Sequence, residues 1–306
     1  INARSQFLAG LYTNKLSLVK SGGKANNKLT VDFLSMYRVN DSYLINSGWD
    51  LRKMNNRIDL DLEHKYAYSY GKGTLNLMLN SSALGSAYNY SKLMLSAKNN
   101  NKYQKLKINT RAFFQLGTGN NWAEESKLGL AGANNEEMMD SKFTRAEGIV
   151  SSEYMGYDYT TSYFHQAGGL NLRGYTGYLA PEFNEDGTVA SYSYNGTSGA
   201  AFNTEIDFTA YLPYSVRKHN IASYLFADAG IISNDKLNKE NYKDVFSEVR
   251  ADAGIGFTYT FRNFGPLEAV RPLVIRFDMP LFLNRPPATD EDFFQFRWLI
   301  GINRAL

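Results

Sequence analysis

The sequence has no cysteine, and it contains only three tryptophans and three histidines among 306 residues. The absence of cysteine excludes disulfides, thiolate metal sites and thiol nucleophiles, and it is typical of proteins in an oxidising compartment. No apolar run approaches the ~18 residues that a membrane-spanning helix needs. The histidines have no metal-ligand spacing, and there is no nucleophile-elbow or phosphate-loop motif. We therefore expect no metal, no cofactor and no enzymatic activity in this chain.

The sequence also has little net charge. The 33 Lys and Arg against 30 Asp and Glu give a net charge of only +3, without the concentrated basic face that nucleic acid binding requires. The start at Ile1 shows neither a charged segment nor an apolar signal-peptide segment. We expect the chain to be a mature or excised piece that does not bind nucleic acid.

Alternation at period two is the dominant pattern. From Arg57 to Glu63 every even position is apolar and every odd position is charged, and similar alternation recurs at 256–262 and 294–298. Successive side chains of a strand point to opposite faces, so each segment would present one apolar and one polar face. The predicted strands span about 10–14 residues, against ~5–6 in globular sheets, and such lengths are typical of transmembrane barrels.

Clusters of Gly, Asn, Asp and Ser divide the chain into strands. Seven are predicted before a long interruption and five after it: 4–19, 27–39, 42–53, 57–69, 74–83, 87–97, 102–117, then 202–213, 220–232, 247–262, 270–283 and 293–305. Twelve satisfies the even count of a single-chain barrel. With the chain start on the periplasmic side, the interruption at 118–200 is a long extracellular loop, with one or two short surface helices between 122 and 144. The predicted fold class is all-β, a single antiparallel transmembrane β-barrel over 1–306.

A soluble β-sandwich would also alternate, and it is the alternative fold. Strand length, the single long loop and the tyrosines near strand ends favour the barrel. We expect 4–19 and 293–305 to pair as neighbours, because an open edge leaves backbone groups unpaired in hydrocarbon. The alternation predicts side chains that face lipid (Leu60, Leu75, Leu77, Ile108, Phe257, Tyr259, Phe296, Trp298) and side chains that face inward (Asp59, Asp61, Lys107, Arg262).

Five segments of the C-terminal half occur in a known order, at 169–175, 202–208, 226–230, 253–281 and 294–301. Over roughly residues 165–306 they resemble the outer-membrane insertase and two-partner-secretion superfamily. Barrels of that family usually have sixteen strands where twelve are predicted here, and the family's periplasmic POTRA repeats have no counterpart in this sequence. Residues 1–120 resemble no family.

The resemblance implies that the long loop folds back into the barrel and is anchored there. Its Arg-Gly-Tyr triplet is Arg173, Gly174 and Tyr175, and the arginine would pair with Asp228 or, as a second candidate, Glu205. A guanidinium and a carboxylate form a directional, two-pronged pair. A solvated arginine on a surface loop is the alternative. The resemblance also implies a barrel-closing C-terminal signal, made by Phe294, Phe296, Trp298, Gly301 and Leu306.

The predicted role is that of a membrane anchor, and of a conduit for protein or peptide translocation or assembly, in the outer membrane of a Gram-negative bacterium. Its partners would be the lipid bilayer and a fused or associated periplasmic domain, which in some relatives is an enzyme such as a metallo-aminopeptidase. Two alternatives are a passive channel for solutes or peptides and a structural subunit of a larger outer-membrane complex.

Overall fold

The computed structural model describes residues 2–8, 11–21, 26–39, 50–140, 163–177, 180–183, 189–213, 220–233, 246–261, 273–286 and 292–306. Within these ranges, twelve strands form one antiparallel sheet. They are β1 (Asn2–Leu8), β2 (Leu11–Ser21), β3 (Asn27–Arg38), β4 (Met54–Tyr68), β5 (Gly71–Ser82), β6 (Asn89–Tyr103), β7 (Leu106–Asn121), β12 (Gly199–Asp207), β13 (Ile221–Ile232), β14 (Arg250–Phe261), β15 (Leu273–Leu283) and β16 (Leu299–Ile302). No helix of the described ranges is long and apolar enough to cross a membrane.

The α-helix and the four other strands of the described residues lie between β7 and β12. They are α1 (Asn135–Asp140) and four short strands, β8 (Leu128–Gly129), β9 (Pro181–Phe183), β10 (Val189–Tyr192) and β11 (Asn195–Gly196). β8 pairs with β11 and β9 pairs with β10, while β7 pairs directly with β12 in the large sheet. The predicted division into seven strands, a long loop and five strands is therefore confirmed.

Two strand predictions in the first part differ from the strands of the described sheet, and the two differences cancel in the count. The segment 4–19 is two strands, because β1 folds back on β2 with Leu8 opposite Leu11. The predicted strand 42–53 falls largely outside the described residues, and its described end is a turn rather than a strand. β3 pairs directly with β4, with Tyr37 opposite Met54, so these two strands are neighbours in the described sheet. The alternation gave no sign of the first reversal, since Gly10 is the only strong turn-forming residue there.

Polar and apolar faces of the sheet are arranged inside out. On β4, Ile58 and Leu60 are 46% and 40% exposed, whereas Arg57 and Asp59, which alternate with them, are buried at 6% and 7%. In water this arrangement would be unfavourable. In a membrane the hydrocarbon chains of the lipid cover the outer apolar face. The outer surface is thus suited to hydrocarbon.

The predicted facing agrees with this arrangement on most strands. The side chains of Leu60, Leu75, Leu77, Tyr259 and Phe296 are exposed, and those of Ile108, Phe257 and Trp298 are half-buried. Asp59 is buried and Asp61 is half-buried. Lys107, the second residue of β7, is exposed, although it lies on the same face of the strand as the buried Arg111. Arg262 lies outside the described residues.

The C-terminal strand is shorter than predicted. The prediction was 293–305, but β16 covers only Leu299–Ile302. Phe294 forms an isolated bridge with Phe282 of β15, and Leu299 pairs with Asp278 of the same strand. The two partners on β15 are four residues apart, whereas Phe294 and Leu299 are five residues apart. This one-residue slip interrupts the ladder, as an irregularity of the β-bulge type does.

The predicted pairing of 4–19 with 293–305 is not confirmed. β1 and β16 are the two ends of the sheet, and no ladder joins them among the described residues. The outer edge of β16 pairs instead with the long loop. The Ile300 N–H donates to Tyr163 O at 2.7 Å, and the His165 N–H donates to Ile300 O at 2.8 Å. The N–H and the carbonyl of Ile300, which could otherwise bond to β1, are therefore already hydrogen-bonded to the loop.

Candidate functional site

The described parts of the long loop pack against the inner face of the sheet. Leu128, Leu130, Leu170, Leu172 and Tyr175 are each at most 2% exposed and form one apolar cluster. Side chains of the sheet close the cluster from the other side, namely Ala201, Ile232 and Leu283. The loop therefore brings its own hydrophobic core into the interior.

Arg173 lies at the deepest part of this packing, in a 3-10 turn that covers Arg173–Tyr175. Its Nε donates to Asp228 Oδ2 at 2.8 Å and its Nη2 to Asp228 Oδ1 at 3.1 Å. The remaining nitrogen, Nη1, donates to Glu205 Oε1 at 2.8 Å. All three side chains have an exposed fraction of 0%. The structure thus brings the arginine together with both acidic residues that the sequence suggested.

Further charges surround this ion pair. Arg304 Nη2 lies 2.9 Å from Glu205 Oε2, and Arg276 Nε lies 3.0 Å from Asp278 Oδ2. Buried charges are tolerated when they are paired and hydrogen-bonded, which is the case for these groups. No group of three or more His, Asp or Glu suited to a metal ion occurs among the described residues. We call these residues, with Arg173, Glu205 and Asp228, the Arg173 cluster.

Packing around the Arg173 guanidinium favours its charged form. The Phe226 ring lies 4.1 Å from its central carbon, a cation–π geometry. Burial alone would lower the pKa of Arg173, but the charges of Asp228, Asp278 and Glu205 and the hydrogen bond to Asp228 together outweigh burial and raise this pKa well above its ordinary value. The loop is therefore attached through a permanent positive charge.

The other two residues of the triplet fit the wall closely. A Cβ on Gly174 would lie 2.4 Å from Leu283 Cδ2 and 2.6 Å from Asp252 Cβ, distances that no side chain could accept. The buried Tyr175 hydroxyl donates to Asn284 Oδ1 at 2.9 Å. Glycine allows the close approach, and the buried tyrosine hydroxyl has a hydrogen-bond partner.

A second contact region lies on β4 and β6, and the sequence did not predict it. Arg57 forms an ion pair with Glu136, and Asn55 Nδ2 donates to Glu125 Oε1 at 2.7 Å. Lys92 Nζ donates to the Ser126 carbonyl at 3.2 Å. The short helices predicted between 122 and 144 do occur, as α1 and a 3-10 turn at Glu124–Ser126. They are not surface helices, because Glu125 and Glu136 contact side chains of the sheet.

The sequence contained one signal for this region. The acidic pairs Glu124-Glu125 and Glu136-Glu137 are the strongest charge runs in the early loop, and Arg57 is one of the inward-facing basic residues. Which of them meet cannot be read from spacing, since about 70–80 positions separate the partners and no periodic pattern links them.

The proposed C-terminal signal is not brought together as one site. Phe294 and Phe296 are 79% and 67% exposed, and Trp298 stacks on Tyr163 of the loop with ring centres 3.9 Å apart. Gly301 lies in β16 beneath the Arg276 side chain, and Leu306 is half-buried beyond the strand.

Comparison with known proteins identifies the fold. Over 96% of its length the chain is similar to the crystal structure of BamA from Haemophilus ducreyi lacking POTRA domains 1–3, with 15% identity and a TM-score of 0.53. It is similar over 95% of its length to CdiB from Escherichia coli, with 15% identity and a TM-score of 0.50. It covers 54% and 45% of those chains, about half their length. No protein-family model and no curated protein matches the sequence. The chain has the β-barrel fold of outer-membrane proteins.

Proposed function

We propose that this chain is the transmembrane barrel of a Gram-negative outer-membrane protein, closed by its own extracellular loop. In this role it anchors the protein in the lipid bilayer and provides a gated conduit for a polypeptide. A fused or bound periplasmic domain would supply or receive that polypeptide, and 1–306 would act as one barrel domain.

The observation that carries the proposal is the attachment of one loop to two separate parts of the wall. A loop that only connects two strands needs no buried charges, and connections are usually far shorter than 118–200. Here the same loop places Glu136 against β4 and Arg173 against β12 and β13. Such a loop lies across the interior and obstructs it, as a plug does.

The type of barrel is a finer proposal. The order of the C-terminal motifs resembles the insertase and two-partner-secretion superfamily, and BamA and CdiB are among the solved barrels to which the chain is similar. The Arg173 contact with Asp228 supports the same assignment, because the motif resemblance implied it. The charges of this cluster are engaged in ion pairs, which supports a structural rather than a catalytic role for the chain.

Single-channel recording in planar bilayers tests the proposal. The wild-type protein should be nearly silent, with rare brief openings, and Arg173→Ala should conduct more often. A polypeptide presented from the periplasmic side should block the open state of this variant. Steady, large conductance by the wild type would indicate a passive channel instead and would contradict the plug.

A further inference from the structure

The two attachments of the loop differ in depth. Asn55 and Arg57 stand at the beginning of β4, and Lys92 stands near the beginning of β6. In the proposed orientation these strand ends are extracellular. In the sheet Lys92 pairs with Gly117 of β7, whereas Asp228 is level, through its partner Asn203, with Arg111, which lies six residues nearer to the periplasmic end of β7. The contact on β4 and β6 is therefore at the mouth of the barrel, and the Arg173 cluster is deeper.

We propose that the mouth contact is a releasable latch that opens as the pH rises through the weakly acidic range, while Arg173 stays bound to Asp228. The latch consists of Asn55, Arg57 and Lys92 on the sheet and of Glu125, Ser126 and Glu136 on the loop. The inference rests on the proposed function, because it assigns a gating step to the plug.

Glu125 is in a different environment from Asp228 and Glu205, the two carboxylates that hold Arg173. Its side chain is 3% exposed, and one oxygen, Oε1, accepts from the neutral amide of Asn55. The other oxygen, Oε2, has no hydrogen-bond partner among the described residues. In the deeper cluster Asp228 and Glu205 face guanidinium groups. A buried carboxylate without a cation next to it is unfavourable when ionised, so docking favours its protonated form.

The surroundings of Glu125 reinforce this preference. Burial raises the pKa of Glu125 to about 7, the carboxylates of Glu136 and Asp50 act in the same direction, and the Asn55 hydrogen bond acts against it. The other titratable or charged groups around the latch lie on the sheet, on the segments beside it and on the loop, and they are Lys53, Arg57, Asp59, Tyr88, Tyr90, Lys92, Glu124, Lys127 and Glu137. Arg57 and Lys92 are directed at Glu136 and Ser126 rather than at Glu125 Oε2.

Glu136 has the opposite behaviour and holds the latch at low pH. Burial alone would raise its pKa, but the charges of Arg57 and Lys92 outweigh burial and lower it. Its ion pair is therefore intact above the ordinary glutamate pKa of 4.5 and weakens only in stronger acid.

The sign of the pH effect follows from these two groups. An undocked Glu125 loses its proton near the ordinary value of 4.5, whereas the docked carboxyl keeps it until about pH 7. Docking therefore binds a proton between these values, and raising the pH across this window weakens the latch. Above about pH 7 both forms are ionised, and the effect reaches a plateau. Between pH 5 and pH 7.5 the docking equilibrium should shift on the order of tens-fold.

Single-channel recording at pH 5 and pH 7.5 is the first test. The open probability of the wild type should rise tens-fold between the two values. Glu125→Gln mimics the protonated carboxyl and should stay as closed at pH 7.5 as at pH 5. Glu124→Gln is the matched control, because it removes the same charge from the neighbouring residue. The Glu124 side chain is 39% exposed and pairs with Lys127. It should retain the pH response of the wild type.

Thiol labelling reports undocking even if no current flows, and the natural absence of cysteine makes it specific. Ala123 is fully buried beside Tyr88, Tyr90 and Trp122, and Leu84 is 97% exposed. The labelling rate of Ala123→Cys divided by that of Leu84→Cys corrects for the thiolate fraction. The ratio should rise tens-fold from pH 5 to pH 7.5, and adding Glu125→Gln should abolish the rise.

The outcomes separate the latch from the proposed function. A labelling ratio that does not change with pH would overturn the latch, even if Arg173→Ala conducts and the conduit stands. A ratio that rises as expected while wild type and Arg173→Ala remain silent would support the latch and refute the conduit. A pH response that survives Glu125→Gln would also overturn the inference, because another group would then control it.

Discussion

Replacement of Arg173 by alanine should release the deeper part of the loop. The change removes three hydrogen bonds of 2.8–3.1 Å and leaves Asp228 with an uncompensated buried charge, whereas Glu205 keeps its ion pair with Arg304. Removing one partner of a buried ion pair costs about 3–5 kcal/mol, which corresponds to a roughly hundred- to thousandfold larger population of undocked loop. Limited proteolysis measures this population when opening and closing are fast relative to cleavage. A protease that does not cut after arginine should therefore cleave the loop in the variant far faster than in the wild type.

Three controls make this result interpretable. Arg285→Ala removes an arginine from an ion pair whose side chains are 42% and 58% exposed, so it should change cleavage by less than about 1 kcal/mol. Arg173→Lys should be nearly as sensitive as the alanine variant, because an ammonium group cannot reproduce the forked contact. Adding Asp228→Asn to Arg173→Ala should recover part of the loss by removing the orphaned charge. A folded Arg173→Ala barrel with wild-type cleavage would refute the anchor.

Three further substitutions test other parts of the account. Gly174→Ala introduces a Cβ 2.4 Å from the Leu283 side chain and should weaken loop docking by about 1–3 kcal/mol, measured as faster proteolysis; an unchanged rate would argue against the close approach. Tyr175→Phe removes the 2.9 Å hydrogen bond to Asn284 and should lower loop stability by about 1 kcal/mol, with wild-type stability as the contrary result. Leu77→Arg puts a charge on the outer face and should destabilise the barrel in lipid by ~2–4 kcal/mol, whereas a neutral effect in a bilayer would mean that this face does not meet hydrocarbon.

Much of the sheet could be predicted because alternation is a local signal with a fixed period. On β4 the charged and apolar positions alternate without a break, so the parity of Arg57, Ile58 and Asp59 follows directly. The even strand count and the position of the long loop followed from the same pattern. The short reversal between Leu8 and Leu11 did not, because alternation on both sides conceals a tight hairpin with a single glycine.

The end of the sheet could not be predicted for a different reason. The sequence from Phe294 to Trp298 alternates well, but the ladder there is interrupted by the register slip relative to β15. The loop segment at Tyr163 competes for the same edge of β16, and no local pattern identifies it as a partner. Register and edge occupancy depend on tertiary contacts, which a period of two does not encode.

One contact of the candidate site could be predicted from the sequence and the other could not. The contact of Arg173 with Asp228 was accessible only through a motif resemblance, since spacing alone would not link residues on a loop and a distant strand. The mouth contact between Arg57 and Glu136 had no such motif and became visible only when both were placed in space. Long-range ion pairs of this kind are set by the fold and not by the sequence around either partner.

The most direct test of the central claim is the accessibility of the loop at Leu172, which is fully buried beside Arg173. A Leu172→Cys variant in lipid vesicles can be treated with a membrane-impermeant maleimide, with Leu84→Cys as the exposed reference. A loop held inside the barrel predicts labelling at least a hundredfold slower than the reference, accelerated by Arg173→Ala, in line with the cost of a broken buried ion pair. Labelling of the otherwise wild-type protein as fast as the reference would place the loop outside the barrel and contradict the account.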